Sequence, residues 1–286
     1  MLTNIVVVAP PGAYWPDFHM PLYADPDHPF FIKDVTGLEP VDAEINSRGY
    51  GILDGDFYVG SRVGKRTIVI SAALNTVLGA GSVAQARDLF YGHLRPKFEA
   101  TLRFEFSDRD PVTIFGIVES NGHNRFVQDP ELQVSFICPK PNFLEAVQEV
   151  EGETGETDPT AVHAPYHGTA GGGWILEIEA FEETYNGDIF IERKVGPDGA
   201  YSIMEFNDVN IPMGWKFHVN THQGQKKVQN RDMSDEEDPT FQLHTMKDPS
   251  YWMMLFAADY YFRVRTPGSP FALTWTMRYF NQFAGV

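Results

Sequence analysis

Residues 99–106 read Glu-Ala-Thr-Leu-Arg-Phe-Glu-Phe, and in this stretch polar and apolar side chains alternate. Alternation of this kind places one set of side chains on each face of an extended chain, so it predicts a half-buried β-strand. The same period of two recurs in residues 132–138, 215–219 and 273–279. Many short strands of this type indicate a mainly β protein, built from sandwiches or barrels.

One segment has the periodicity of a helix. Its apolar residues recur at helical spacing, and they are Val83, Ala86, Phe90 and Leu94. Ser82 and Gln85 have the spacing of a capping box, in which each side chain satisfies a free backbone N–H group. Pro96 ends the run, since proline cannot continue a helix. The pattern predicts a single helix over residues 83–94.

Composition and charge exclude several classes of function. The chain has 286 residues and a formal net charge of −17, and a protein this acidic repels the phosphates of nucleic acid and of anionic lipid. One cysteine excludes an intramolecular disulfide framework. No apolar run is long enough to span a bilayer, and the opening Met1-Leu2-Thr3 lacks the features of a signal peptide. We therefore expect synthesis in the cytoplasm, no membrane insertion and no specific binding of DNA.

A change in composition predicts two domains. The composition shifts after Pro141 to acidic residues and glycines without basic partners, and a run of three glycines starts at Gly171. Self-repelling charge together with glycine is typical of a linker or mobile loop. The predicted organisation is an N-terminal domain over residues 1–145, a linker over 146–170 and a C-terminal domain over 171–286. A second acidic patch, residues 234–238, is predicted to be a loop inside the second domain.

No sequence motif for catalysis, phosphate binding or a zinc module is present, so we predict no catalytic residue, no metal and no cofactor. Cys138 ends an alternating strand with nothing nearby to lower its pKa, which favours a buried structural thiol. His163 and His167 are four residues apart, a spacing that could hold zinc on a helix. Pro165 lies between them, so a solvated segment is the better interpretation.

Two pairs of residues suggest carbohydrate chemistry. Glu177 and Glu179 lie one strand step apart and project from the same face, which leaves a glycoside hydrolase open, although a solvated strand face is favoured. Trp174 and Trp215 could form a sugar-stacking platform, but both are in phase with apolar residues, which favours core positions.

The most unusual stretch runs from Leu53 to Ile70 and gathers positive charge in an otherwise acidic chain. Glycines in its first part indicate turns or bulges. The stretch lacks the order of strand, glycine-rich loop and helix that a phosphate-binding loop has. Two interpretations remain: a charged hairpin, or a contact between subunits in which arginine pairs with a neighbour's carboxylates. The candidate contact residues are Asp56, Arg62, Lys65 and Arg66.

The order of several segments resembles the distal tail proteins of long, non-contractile-tailed (siphovirus-type) bacteriophages. The resemblance rests on Pro29-Phe30-Phe31-Ile32-Lys33-Asp34-Val35-Thr36-Gly37-Leu38, the Asp54 to Arg66 stretch, the helix leading to Leu94-Arg95-Pro96-Lys97, and Asn124-Arg125-Phe126 followed by Gln133 to Phe143. In the second half, Val209-Asn210-Ile211-Pro212-Met213-Gly214 and Tyr261-Phe262-Arg263-Val264 are similar to the family's paired strands and closing region.

The resemblance implies a fold, an assembly and a place of action. The N-terminal domain would be a β-sandwich-like ring domain with a hairpin and one α-helix, and the C-terminal domain a galectin-like β-sandwich. Six copies would form a ring that joins the major tail tube protein to the tail-tip hub (tail-associated) protein in the virion. The tape-measure protein and then DNA would pass through its channel, and no catalysis is implied. The alternative is a carbohydrate-binding module for attachment to host cell-wall glycans, since a galectin-like sandwich can bind glycans.

Overall fold

The computed structural model describes residues 1–8, 16–23, 28–50, 54, 56–74, 83–123, 131–232, 240–241, 245–247, 252–269 and 271–286. Within this part the fold is mainly β, as predicted, and consists of antiparallel sheets and one α-helix. The chain divides into two compact units, of which the first is Met1–Glu145 together with Phe283–Val286 and the second is Ala146–Gln282. Among the described residues, no helix has the length and apolar character to cross a bilayer.

In its described residues, the first unit contains nine strands and the helix. They are β1 (Leu2–Val8), β2 (Phe18–Pro21), β3 (Phe30–Thr36), β4 (Ala43–Gly49), β5 (Asp56–Val63), β6 (Arg66–Leu74), α1 (Val83–His93), β7 (Glu99–Phe106), β8 (Val112–His123) and β9 (Glu131–Cys138).

Seven of these strands are joined in the antiparallel order β3-β6-β9-β8-β7-β1-β2. The long strand β8 links two halves, because residues 112–117 pair with β7 and residues 117–123 pair with β9. A register shift between Val118 and Ser120 accompanies the change of partner, and such bulges bend a strand. The two halves share one core, in which Phe90 of α1 packs against Phe18 and Phe30.

The second unit contains the remaining strands, the first of which begins two residues before the unit does. They are β10 (Phe143–Glu153), β11 (Val162–Tyr166), β12 (Trp174–Ala180), β13 (Tyr185–Val195), β14 (Ser202–Ile211), β15 (Trp215–Asn220), β16 (Lys227–Asp232), β17 (Thr240–Phe241), β18 (Ala258–Arg265) and β19 (Thr274–Phe283).

Two antiparallel sheets form the second unit, with strand orders β17-β16-β15-β12-β19-β10 and β11-β18-β13-β14. Alternate residues of β12 and β19 enter one apolar cluster with alternate residues of β13, β14 and β18. Inward-facing side chains from both sheets fill a common core, which is the arrangement of a β-sandwich. Trp174 lies in this core and contacts Phe262 edge-on, with ring centroids 5.8 Å apart.

The predicted linker is wrong, because residues 146–170 contain most of β10 and all of β11. Val150 packs on the core while the glutamates of β10 point away from it, so the acidic run is the exposed face of a strand. The glycines that follow are also packed. A Cβ atom on Gly173 would lie 2.5 Å from the Cα atom of His222, so this position requires glycine for close approach of two backbones. The assignment of residues 283–286 to the second domain differs from the structure as well.

The other local predictions are confirmed where they can be compared. The four alternating stretches lie in β7, β9, β15 and β19, except for Leu273, which precedes β19. The helix predicted over residues 83–94 is α1, which ends one residue earlier, at His93. Ser82 of the predicted capping box, residues 124–126 and the acidic patch 234–238 lie outside the described residues.

Candidate functional site

Strands β4 and β5 form a hairpin that stands apart from the sheets of the first unit. They pair with each other in antiparallel register from Ala43 opposite Val63 to Gly49 opposite Asp56. In the described part of the chain neither strand pairs with a third. Every residue of both strands is exposed except Gly60, which is half-buried. A two-stranded sheet with nothing packed on it is marginally stable in water.

The surface of this hairpin is rich in large apolar side chains. Ile45, Tyr58 and Val59 are 70%, 65% and 59% exposed, and Val63 and Phe57 are also exposed. Exposed apolar patches are typical of surfaces that bind another protein, a membrane or a ligand. We call Ile45, Tyr58 and Val59 the apolar hairpin residues. Sequence reasoning singled out the charges of this stretch and missed these three residues, although Phe57-Tyr58-Val59 between glycines was an available signal.

The predicted contact residues Asp56, Arg62 and Lys65 lie on the hairpin or directly after it, and all three are exposed. The Nε atom of Arg62 donates to Oε2 of Glu44 across the two strands at 2.7 Å. Asp56 accepts a hydrogen bond from the Ser47 hydroxyl at 3.0 Å. Exposed pairs of this type contribute about 0–1 kcal/mol, so these charges do little to hold the hairpin in place. They remain open to a further partner.

Arg66 has a different role from the one predicted, because it is buried with only 1% of its surface exposed. Its Nε atom donates to the carbonyl oxygen of Pro141 at 2.7 Å. Its Nη1 atom donates to the carbonyl oxygens of Gly37 and Glu39 at 2.5 and 2.6 Å, and its Nη2 atom donates to that of Ala284. A side chain committed in this way cannot pair with a neighbouring subunit, which removes Arg66 from the predicted contact.

Arg66 instead fixes the place where the hairpin leaves the first unit. The two connecting segments, residues 37–42 and 64–65, are called here the hairpin root. Gly37 has a φ of +85°, and a Cβ atom there would lie 2.0 Å from the carbonyl oxygen of Thr67. The guanidinium of Arg66 also lies 4.6 Å from the ring centroid of Phe143, and burial lowers its pKa from the ordinary value.

The other residues considered as sites lie apart from the hairpin. Cys138 is fully buried, as predicted, and burial raises the pKa of its thiol to about 11. Trp174 is fully buried, which rules out the predicted platform of two tryptophans, and Trp215 is half-buried and packs against the core. His163 lies on β11 with Nε2 3.3 Å from Oδ1 of Asp259. The described residues contain no group of three or more His, Cys, Asp or Glu side chains arranged to hold a metal.

Glu177 and Glu179 share one face of β12, as predicted. Glu177 is 7% exposed and accepts hydrogen bonds from Nδ1 of His218 at 3.0 Å and Nη1 of Arg278 at 3.1 Å. The bond from His218, with the charges of Lys216 and Arg278, lowers the pKa of Glu177 to about 2, although burial acts in the opposite direction. A general acid for glycoside cleavage needs a raised pKa, so the lowered pKa of Glu177 does not suit that role.

The unfolding free energy of the second unit should therefore fall as the pH is lowered from 4.5 towards about 2. The pKa of Glu177 is depressed in the folded chain, so its stabilising effect is present above the unfolded pKa and is lost as the pH falls through the folded one. A depression from 4.5 to about 2 corresponds to about 3 kcal/mol. Denaturant unfolding of the wild type and of Glu177→Gln at a series of pH values measures the effect. Parallel stability curves for the two proteins over this range would contradict it.

Comparison with solved structures finds a similar fold over nearly the whole chain. No family model matches the chain, and no curated protein sequence matches it either. The chain is similar in structure to the SPP1 Dit (gp 19.1) protein, described as a paradigm of the hub adsorption apparatus in phages that infect Gram-positive bacteria, with a TM-score of 0.60 and 14% sequence identity over 99% of both chains. The phage P2 baseplate in its activated conformation is a weaker match, with TM-scores of 0.43 with Ca and 0.44 with Sr, each at 8% identity over 97% of this chain and 98% of that one.

Proposed function

We propose that this chain is a structural protein of a phage tail tip, where six copies form a ring between the tail tube and the tail-tip hub or baseplate. The observation that carries the proposal is the likeness to SPP1 Dit, which extends over nearly the whole of both chains and so includes both compact units. The sequence resemblance to distal tail proteins supports the same role independently of the structural likeness. The role is one of assembly and needs neither catalysis nor a cofactor.

The hairpin is the element we propose for the contact between neighbouring copies. A ring forms when one surface of each copy binds a different surface of the next and the rotation closes. The apolar hairpin residues suit such a contact because their burial against a neighbour releases water from apolar surface. Arg62, which is 75% exposed, has N–H groups for a carboxylate of the neighbour in a strongly acidic protein.

The charge of the chain suits a conduit for nucleic acid. Each copy has a formal net charge of −17. Negative potential facing the bore would keep DNA phosphates from adhering as the tape-measure protein and then the DNA pass through, because like charges repel at distances within the screening length of about 10 Å. DNA would thus traverse the ring without specific binding. The major tail tube protein and the hub protein are the proposed neighbours above and below.

The test is the state of assembly of the purified full chain. Light scattering after size exclusion should give the mass of six copies, and negative-stain images should show rings with sixfold symmetry and a central opening. A chain that stays monomeric at every concentration, alone and with the tail tube and hub proteins added, would contradict the proposal.

A further inference from the structure

Residues 283–286 follow the second unit in the sequence but pack within the first. Phe283 is 9% exposed and belongs to the core of the first unit. The guanidinium of Arg109 lies 4.4 Å from the centroid of the Phe283 ring. The three residues after Phe283 leave this core and reach the hairpin root.

Each of those three residues contacts the root or the side chain that holds it. The carbonyl oxygen of Ala284 accepts a hydrogen bond from Nη2 of Arg66. The same guanidinium donates to the carbonyl oxygens of Gly37 and Glu39. The backbone N–H of Val286 donates to the carbonyl oxygen of Leu38 at 3.0 Å.

Gly285 packs directly on the root as well. A Cβ atom on Gly285 would lie 2.7 Å from Cδ of Pro40 and 2.9 Å from the carbonyl oxygen of Leu38. Any larger residue at this position would push the segment away from the root.

We infer that Arg66 and residues 284–286 are positioning residues that set the direction in which the hairpin projects. We call these four residues the root clamp. The hairpin needs such a device because its strands pair only with each other in the described structure, so its orientation depends on its two connections to the first unit. The root clamp holds the connection that enters β4 through three carbonyl oxygens, those of Gly37, Leu38 and Glu39. Arg66 itself begins β6, so it also fixes the connection that leaves β5.

The clamp is a property of the single chain, whereas its consequence for assembly rests on the proposed function. A hairpin that swings about its root presents its apolar residues in many directions, and ordering it on a neighbour then costs conformational entropy. A clamped hairpin is already oriented. The two claims are therefore tested by different measurements, one on the monomer and one on the ring.

The experiment measures the spread of distances between the hairpin and the body of the first unit in dilute, monomeric protein. Nitroxide labels on Gly60→Cys in β5 and Glu99→Cys in β7 report that distance by pulsed electron resonance. A Cβ atom on Gly60 meets no atom within 4 Å, and Glu99 is exposed, so both positions accept a label. The native Cys138 is fully buried with a raised pKa and does not compete for the reagent.

Two variants release the clamp in different ways. Gly285→Val forces the segment away from Pro40, and Val286→Pro removes the N–H group that donates to Leu38. Each should broaden the distance distribution by roughly twofold or more, on the scale of loop motion, with an unchanged far-ultraviolet spectrum. The matched controls are Val286→Ala, which keeps the N–H group, and Lys65→Ala, an exposed position in the root. Both controls should give a distance distribution as narrow as that of the labelled parent chain.

The result that overturns the inference is a folded Gly285→Val or Val286→Pro chain with a distribution as narrow as the parent. If both variants fail to fold, the inference is overturned as well, because the segment would then support the unit itself rather than orient the hairpin. Broadening in the monomer together with a wild type that never forms rings would keep the root clamp and reject the proposed function.

Discussion

A chain in which Ile45, Tyr58 and Val59 are replaced by Asn, Ser and Thr should be monomeric under conditions where the wild type forms rings. In a single chain these side chains are mostly exposed, so their loss removes no packing from the fold. At a contact between copies, their burial contributes about 4 kcal/mol in total, so each contact should weaken by roughly a thousandfold. Light scattering after size exclusion across a range of concentrations measures the change.

The matched control for this variant lies in the second unit. Phe181 and Met213 are exposed to a similar degree but belong to no hairpin. Replacing both by Ser should leave assembly unchanged. Rings that persist in the triple hairpin variant, or a loss of assembly that is equal in the control, would contradict the hairpin as the contact between copies. An altered thermal unfolding of the triple variant would do so too, because it would show a structural role for the three residues.

Replacing Arg66 by Leu should lower the unfolding free energy of the first unit by about 4 kcal/mol, at about 1 kcal/mol for each hydrogen bond that is lost. The guanidinium donates to four carbonyl oxygens in partly buried surroundings, and each of these loses its donor. Arg66→Lys should recover only part of the loss, because an ammonium group cannot reach four acceptors with the planar spread of a guanidinium.

The control is Arg62→Leu, four residues away in the same basic stretch. Arg62 is exposed and paired only with the exposed Glu44 in the described contacts, so its replacement should change the unfolding free energy by about 0.5 kcal/mol or less. Denaturant unfolding followed with a probe in each unit separates the two units, since a chain with two units need not unfold in one step. Equal losses of unfolding free energy in Arg66→Leu and Arg62→Leu would show that the burial of Arg66 does not stabilise the first unit.

Period-two alternation predicted strands well because burial on one face is a local property that each strand carries in its own residues. The same alternation could have predicted that Arg66 is buried, because Arg66 is in phase with the buried Ile68 and Ile70 on β6. The charge of Arg66, considered alone, suggested that its side chain lies on the surface. The carbonyl oxygens that accept from Arg66 belong to Gly37, Glu39, Pro141 and Ala284, which are far apart in the sequence, so no local pattern could assemble them.

The predicted linker failed for the opposite reason. Five glutamates and aspartates among glycines suggest self-repulsion when the chain is considered alone, but β10 places its glutamates on an outer face where Arg278 can reach Glu149 at 2.6 Å. The apolar hairpin residues could be seen in the sequence as hydrophobic, yet their exposure depends on the absence of a third strand in the described structure, which is a property of topology.

The return of residues 283–286 to the first unit has a consequence for biosynthesis. The ribosome completes the first unit only after it has passed through all of the second, because Phe283 is missing from the core until then. Chains interrupted at any earlier codon lack the residues that orient the hairpin. The contact surface that we propose for the ring is therefore oriented only in chains whose second unit has already been synthesised.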